Sequence, residues 1–344
     1  MRKAKALAVD ADRLLQIIDG FRTVRTAIFG DLIVDEFIYG DIARVSREAP
    51  VLILNYDSTE IVPGGAGNAA SNVAALGGSA IAVGVTGQDD TGTRLLDAMR
   101  PRVDVRSVLR PRGFRTPTKT RILAGGIHSA KQQVVRVDRA AGPQLDDADR
   151  RVIGDRLLKV AGRCDALLVS DYGGGLVSPA LVGHAQKALR GRRGSAAPVL
   201  VDSRYSLLGF RGMTTCTPNE SEVEQLFGIR IGDNSRVLER VGRELLRRTR
   251  SAAVLITRGS KGMALFEPGR HTVHIPISGS DQIADVTGAG DTVIATMTLS
   301  LAAGASFVEA ALLANYAGGL VVMKRGTATV SADELRHAIA SDRE

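Results

Sequence analysis

Apolar residues along the chain follow two rhythms that alternate. Short, nearly continuous apolar runs of strand length occupy residues 26–34, 80–85, 166–170, 199–202 and 253–257, rich in Val, Ile, Leu and Ala and bounded by Gly, Asp or Pro. Runs of this kind fit strands covered on both faces, as in a parallel sheet. Between them, apolar positions recur every three to four residues over 69–76, 90–99, 147–160, 181–189, 222–227, 236–248, 292–303, 307–322 and 331–340, the period of helices with one buried face. Strand and helix in alternation predict an α/β fold: a central, mostly parallel sheet between two helical layers.

Two stretches break the rhythm. Residues 36–62 hold short alternating pieces at 51–56 and 60–62 without a helix between them, and residues 116–138 hold two more at 118–122 and 133–137, joined through Gly125-Gly126 and a polar stretch. Period-two patterns without intervening helices read as antiparallel strands. A small sheet assembled from two excursions so far apart in sequence suits a lid over a site. Residues 263–266 and 271–275 pattern as a hairpin. Residues 1–20, Ala-rich and polar with a short amphipathic helix at 11–18, read as an N-terminal extension to a single domain over 21–344.

Composition narrows the partners. With 4% aromatics and no Trp, the chain lacks the stacking surfaces that bind single-stranded nucleic acid. A net charge of +8 favours anionic ligands, small ones included. The densest basic clusters, Arg190, Arg192, Arg193 and Arg247, Arg248, Arg250, fall at helix ends, where they complement the helix dipole. No nucleic-acid partner is therefore expected. Cys164 and Cys216 belong to no ligand-spaced cluster, so neither a metal centre nor a disulfide framework is expected. No run reaches membrane-spanning length and no secretory segment precedes the first strand, which predicts a cytoplasmic protein with no membrane partner.

The chemistry concentrates at residues 285–291, Asp-Val-Thr-Gly-Ala-Gly-Asp, immediately before the apolar helix at 292–303. A glycine-rich loop entering a helix aims unsatisfied amides and the positive end of the helix dipole at whatever lies over Gly288, Ala289 and Gly290. Asp291 beside that anion site would be repelled unless it takes a proton from a nearby hydroxyl, which points to phosphoryl transfer to an alcohol. The same residues also fit an ordinary turn with Asp291 as a favourable first-turn charge. Asp31 and Asp35, four apart at the end of the first strand, are hydroxyl-binding candidates or turn caps. Pro63-Gly64-Gly65-Ala66-Gly67-Asn68 leads into a helix that carries Asn68 and Asn72 on one face, where their amides can meet hydroxyls. Glu222, in Asn219-Glu220-Ser221-Glu222, either holds a hydrated Mg²⁺ or completes a helix cap.

The Gly-Asn helix entry at 64–68, Asn-x-x-Glu at 219–222, Thr-x-Gly at 257–259 and Asp-x-Thr-Gly-Ala-Gly-Asp at 285–291, in this order, resemble the ribokinase (PfkB) family of carbohydrate kinases over about residues 24–336. The resemblance implies a ribokinase-like three-layer sandwich with a small β-sheet lid, and ATP as phosphoryl donor. It implies Asp291 as base at the Gly288, Ala289, Gly290 anion hole, and sugar hydroxyls on Asp31, Asp35, Gly64, Gly65 and Asn68. Asn219, Thr257, Gly259, Gly262, Gly288, Gly290 and Asn315 would flank the nucleotide, with Mg²⁺ held through water by Asn219 and Glu222. Asp285 and Thr287, with the loop near Gly326, would take a monovalent cation such as K⁺. The lid's edges suit a homodimer clasp.

Within the family, Gly30-Asp31 through Asp35, Tyr39-Gly40, Arg44-Val45-Ser46-Arg47-Glu48-Ala49-Pro50-Val51 and the tail at 319–330 resemble the kinases of D-glycero-D-manno-heptose 7-phosphate. These phosphorylate an anomeric hydroxyl and are often fused to a nucleotidyltransferase, so this chain would be the kinase half. Two departures stand out. Asp171-Tyr172-Gly173-Gly174-Gly175 replaces Asp-Tyr-x-Lys-Gly, and Asp202-Ser203-Arg204 replaces Asp-Pro-Lys. Arginine offers a planar fork where lysine offers a point charge. A kinase of an unphosphorylated sugar, ribokinase- or fructokinase-like, therefore stands as the alternative. A non-catalytic sugar-binding protein is a further one, opposed by the presence of Asp291, both motif glycines and Glu222. Arg44, Lys131, Arg136 and Arg204 are the candidates to meet a distal phosphate on the sugar.

Overall fold

The first β-strand shows how the chain is built, because its side chains divide between two cores. In this computed structural model, which describes residues 9–125, 131–142, 144–189, 196–278, 285–324 and 326–342, Ala27 and Phe29 point to one side of a large sheet and Ile28 to the other. Leu167 and Val169 against Leu168, and Val254 and Ile256 against Leu255, repeat the division on neighbouring strands. A strand buried on both faces cannot alternate apolar with polar, which is why these segments read as continuous apolar runs. Gly126, the Arg190, Arg192, Arg193 cluster and residues 279–283 of the loop before Asp285 lie outside the described residues.

In chain order the elements are α1 (Ala11–Gly20), β1 (Arg25–Gly30), β2 (Leu32–Val45), β3 (Leu52–Gly65), α2 (Ala66–Ala75), β4 (Ser79–Val83), α3 (Asp90–Met99) and β5 (Val103–Asp104). Then follow β6 (Thr118–Gly125), β7 (Gln132–Arg139), α4 (Asp147–Ala161), β8 (Ala166–Asp171), α5 (Pro179–Ala188), β9 (Val199–Ser203) and β10 (Thr215–Cys216). The chain closes with α6 (Glu220–Phe227), α7 (Ser235–Thr249), β11 (Ala253–Thr257), β12 (Met263–Phe266), β13 (Val273–Ile275), α8 (Ala289–Ala302), α9 (Phe307–Val321) and α10 (Ala332–Ser341). The large sheet has nine strands in the order β13-β12-β11-β10-β9-β8-β1-β4-β5, all running one way except β12, which pairs antiparallel with both β11 and β13. Side chains from α4, α5 and α7 fill one core; those from α1, α2, α8, α9 and α10 fill the other.

Two expectations are corrected. The apolar run at 26–34 is not one strand: β1 ends at Gly30, the chain pivots at Asp31, whose amide donates to Ser170 O at 3.0 Å, and β2 enters the second sheet. Leu32, Ile33 and Val34 are as buried as β1, so hydropathy carries no mark of the change. The pieces at 51–56 and 60–62 are one strand, β3, paired antiparallel with β2 from Leu32 opposite Gly65 to Val45 opposite Leu52. β6 joins β2 in parallel and β7 completes the small sheet. Ile42, Val45, Leu52, Tyr56, Val134, Val135 and Val137 on it, with Val51 in the β2–β3 connection, are 41% to 69% exposed.

Residues read as an extension contribute to the core. Asp10 caps α1, and Leu14, Ile17 and Ile18 are buried where α1 packs on α8 and α10. Among the described residues, no helix is long and apolar enough to cross a membrane.

Candidate active site

Parallel strands β1, β8, β9, β10 and β11 deliver their carboxyl ends to one edge of the large sheet, the position at which open α/β sheets take ligands. There the starts of α2, α6 and α8 converge under the lid around a cavity of about 630 Å³. Helix α8 starts earlier than the apolar period shows, at Ala289, because Gly288 turns the chain with φ of +77°. An L-residue is strained there, and its Cβ would lie 2.5 Å from Asn68 Nδ2. No side chain caps this helix. The Ala289 amide reaches back to Val286 O at 3.3 Å, which leaves the amides of Gly290 and its successor as the ones an anion could meet at this helix start.

The early start places Asp291 in the first turn, buried at 3% exposure. Asn68 donates to its Oδ2 at 2.8 Å and the Tyr172 hydroxyl to its Oδ1 at 3.4 Å. Asn68 is itself fixed: Asn72 Nδ2 donates to its Oδ1 at 3.0 Å, and the Thr292 hydroxyl donates to Asn72 at 3.0 Å. Burial pushes the Asp291 carboxyl up to about 7; the Asn68 bond opposes this and the nearby Asp35 charge adds to it. A carboxylate that changes protonation near neutrality is matched to taking a hydroxyl proton.

Asp35 and Gly65 line the same cavity as Asp291, to which Asn68 is bonded. Asp35 pairs with Arg121 at 2.5 Å and accepts from Thr327 at 3.4 Å, and the absence of a side chain at Gly64 leaves room for its Oδ2, 2.4 Å from where a Cβ would stand. Asp31 turns elsewhere. Its Oδ2 accepts from the amides of Tyr172 at 2.8 Å and Gly174 at 3.0 Å, so it holds the turn after β8, and burial raises its pKa. Asp31 lines a neighbouring cavity of about 500 Å³ rather than the chamber of Asp291, with Tyr172 and Lys119 as the shared wall.

At the other end, Asn219 and Glu222 form a capping box: Asn219 Oδ1 accepts the Glu222 amide and Glu222 Oε2 accepts the Asn219 amide, both at 2.9 Å. Both readings of Glu222 stay compatible, because both residues also line the cavity. Beside it stands Asp202, whose carboxyl is pushed well up by burial and then by the charges of Glu222, Asp291 and Asp171. Burial raises Glu222 as well. Carboxylates that crowd one another fit a divalent cation, and Mg²⁺ asks for only one or two of them. Thr257, Gly259, Gly262 and Asn315 line the far end; Asn315 is pinned by donating to Pro276 O at 2.9 Å. Asp285 closes a loop, accepting from the amides of Thr287 at 2.9 Å and Gly326 at 3.1 Å. Among the described residues, no three His, Cys, Asp or Glu side chains gather as a metal cage.

Sequence reading missed Tyr172 as a partner of Asp291, and it missed Asp202 and Lys119. Tyr172 and Asp202 do sit at strand ends, a signal that was available. Lys119 comes from the lid, where a lone lysine looks like any solvated charge; here its Nζ lies 4.7 Å from the Tyr172 ring centroid. Of the four cations expected near a distal phosphate, Arg136 and Arg204 line the cavity. Lys131 is bound to Asp57 at 2.6 Å, and Arg44 is exposed on β2.

Residues 32–334 match the model of the pfkB family carbohydrate kinases. The chain belongs to this family. The bifunctional protein HldE of Geobacter sulfurreducens is 39% identical over 314 residues, 91% of this chain and 62% of that protein. HldE of Pectobacterium atrosepticum is 38% identical over 320 residues, 93% of this chain and 64% of that protein. The chain thus spans under two thirds of these relatives' length. Among solved structures, Escherichia coli phosphofructokinase-2 in complex with substrates and products aligns with a TM-score of 0.73 at 20% identity, covering 93% of this chain and 99% of that one. Arabidopsis thaliana ribokinase complexed with ribose and ATP aligns with 0.69 at 19%, covering 92% and 98%. The fold is the ribokinase-like α/β sandwich, and family membership makes the chain a carbohydrate kinase.

Proposed function

We propose that this chain transfers the γ-phosphoryl group of ATP to the anomeric hydroxyl of a heptose 7-phosphate, with Asp291 as the general base. The observation that carries this reading is Asp291 itself: a buried carboxyl poised near 7, bonded to Asn68, at the uncapped start of α8, in one cavity with Asn219 and Glu222. Asp35, Gly65 and Asn68 orient the acceptor. Asp291 takes the hydroxyl proton as the oxygen–phosphorus bond forms; the bond to the bridging oxygen breaks and ADP departs. The amides at Gly290 face the charge that develops on the transferred group. Asn219, Glu222 and Asp202 are the residues that would hold Mg²⁺, which when bound neutralises phosphate charge. The lid excludes water as competing acceptor. The loop closed by Asp285 onto Thr287 and Gly326 is where a monovalent cation would act on the anion hole, and turnover in potassium against tetramethylammonium tests it.

The heptose phosphate rests on the sequence motifs and on the likeness to the HldE proteins. One observation favours an unphosphorylated sugar instead: Arg121 and Arg136 are already spent on Asp35 and Asp138. The deciding experiment measures ATP-to-ADP turnover with heptose 7-phosphate, fructose 6-phosphate, ribose, fructose and adenosine. Preference for the heptose phosphate supports the proposal, and preference for a neutral sugar overturns its substrate. The exposed apolar residues of the lid support a homodimer through that sheet. Replacing Val135 and Val137 with glutamate is then expected to halve the mass in solution without unfolding the chain.

A further inference from the structure

The two halves of the lid are fastened to the body in different ways. β2 continues from β1 through the pivot at Asp31, and β3 runs straight into α2, so that half is tied by short covalent connections at both ends. β6 is reached from β5 through residues 105–117, a stretch with no helix and only isolated bridges, and depends on non-covalent bonds for its place. Yet β6 carries two side chains of the cavity wall, Lys119 and Arg121, and Arg121 is paired with Asp35.

Where β6 leaves the body, Thr116 is 4% exposed and plugs into the turn that precedes α3. Its hydroxyl donates to Asp89 Oδ1 at 2.6 Å and accepts from the Gly87 amide at 2.9 Å, and its amide donates to Asp89 Oδ2 at 2.8 Å. The fit is close: a Cβ at Gly92 would stand 2.6 Å from the Thr116 hydroxyl oxygen, and one at Gly87 would stand 2.3 Å from Phe114 O. Arg110 braces the same turn, donating to Gly87 O at 2.9 Å and to the Thr93 hydroxyl at 2.8 Å. Asp89 also caps α3 by accepting the Gly92 amide at 2.8 Å on Oδ1, and a cap needs only one oxygen, so Oδ2 is given wholly to the lid. Burial pushes the Asp89 carboxyl up, but the Thr116 bonds, the cap and the Arg110 charge outweigh it and hold its pKa below the ordinary value, which keeps it the ionised and stronger acceptor. From this anchor the chain passes directly into the small sheet: Pro117 O accepts from the Val34 amide at 2.9 Å, and Lys119 lies opposite Asp35 in the β2–β6 ladder.

We infer that Asp89 is a positioning residue for the acceptor side of the cavity. Through Thr116 it fixes the base of β6 against the body, and so sets where Lys119, Arg121 and, through the pairing with β2, Asp35 stand in the cavity they share with Asp291. The test uses three variants of the full chain. Asp89→Asn keeps an oxygen for the cap but turns an NH₂ group on the Thr116 amide, Thr116→Val removes the hydroxyl at nearly unchanged shape, and Thr116→Ser keeps it. The first readout is hydrogen exchange, which needs no substrate. Exchange over residues 110–123 is expected to quicken about tenfold or more in Asp89→Asn and Thr116→Val, as for loss of a bond to a charged group, with Thr116→Ser close to wild type and β8 and β9 unchanged. The second is steady-state kinetics with heptose 7-phosphate. In the same two variants kcat/KM for the acceptor is expected to fall about tenfold to a hundredfold, the effect of a small misplacement made at a distance, mostly through KM, while KM for ATP stays, because Thr257, Gly259 and Asn315 line the cavity from the body.

Exchange that quickens equally in β8 would mean that the substitutions only loosen the fold. Exchange over 110–123 within about threefold of wild type in both variants, under 1 kcal/mol, would mean that other bonds hold the base of β6. A loosened base with an unchanged acceptor KM would mean that the anchor has no hold on the site. Each of these results overturns the inference. If the wild type prefers another sugar, the heptose phosphate reading falls and acceptor KM is read with that sugar; if it turns over none, exchange alone decides whether Asp89 holds β6.

Discussion

Replacing Asp291 with asparagine separates what this residue does for chemistry from what it does to stability. Asparagine is nearly isosteric, still accepts from Asn68 through its carbonyl oxygen, and cannot take a proton. Turnover is expected to fall by about two to four orders of magnitude, the usual worth of a positioned base, while ATP binding is little changed. Stability should move the opposite way. The folded-state pKa of about 7 lies above the ordinary 3.8, so burying the ionised form costs stability. That cost is absent below the ordinary value, grows as pH rises towards 7 and is constant above. At pH 8 it amounts to an upper limit of roughly 4 kcal/mol, counting 1.36 kcal/mol for each pH unit between the two values. Asp291→Asn should therefore melt several degrees higher than wild type at pH 8 and at the same temperature near pH 4. Thermal unfolding at the two pH values, with single-turnover kinetics at pH 8, checks both halves. Turnover within tenfold of wild type would remove Asp291 as the base. A variant that melts lower at pH 8 would show that the carboxylate is stabilised there, contrary to its burial.

Other perturbations probe the supports. For the wild type, kcat/KM should fall on the acid side of about pH 7 as Asp291 takes up its proton; Asn68→Ala, which removes the 2.8 Å bond favouring the ionised form, should move that limb to higher pH in a pH–rate profile. Glu222→Gln should raise the Mg²⁺ concentration for half-maximal activity about tenfold or more, yet cost under about 1 kcal/mol in a urea melt, because glutamine also completes a capping box. Gly64→Ala places a methyl group where Asp35 Oδ2 lies 2.4 Å away and should raise KM for the sugar about tenfold, roughly 1.4 kcal/mol, leaving KM for ATP unchanged.

Much of this architecture was legible in the sequence because the hydrophobic period reports what each segment buries. Strands covered on both faces announce themselves as apolar runs, and α3 falls on the expected residues, Asp90–Met99, because a capping Asp89 and an amphipathic face mark both its start and its course. The turn into α8 was legible in part for the same local reason, since Gly288 marks it in sequence, although the helix begins at Ala289 rather than at 292. What hydropathy cannot report is a change of sheet. The break at Asp31 is invisible because Leu32 and Val34 pack into the same core as Ile28, and only the strand pairing tells the two sheets apart. The amphipathic period of α1 likewise marks a buried face without saying that α8 and α10 cover it.

For the site, sequence determined which residues stand at loop ends, and tertiary structure decided which of them meet. Asp31 and Asp35 look interchangeable four residues apart, yet one is consumed by the amides of Tyr172 and Gly174 while the other faces Asp291. The pKa of Asp291 is raised by burial and by the charge of Asp35 and held back by Asn68, 223 residues away, none of which its own sequence neighbours specify. Lys119 and Arg204 share a cavity only after two separated excursions fold over the sheet edge. Propensity and periodicity are properties of neighbours along the chain. Desolvation and charge coupling are properties of neighbours in space, and no local pattern encodes them.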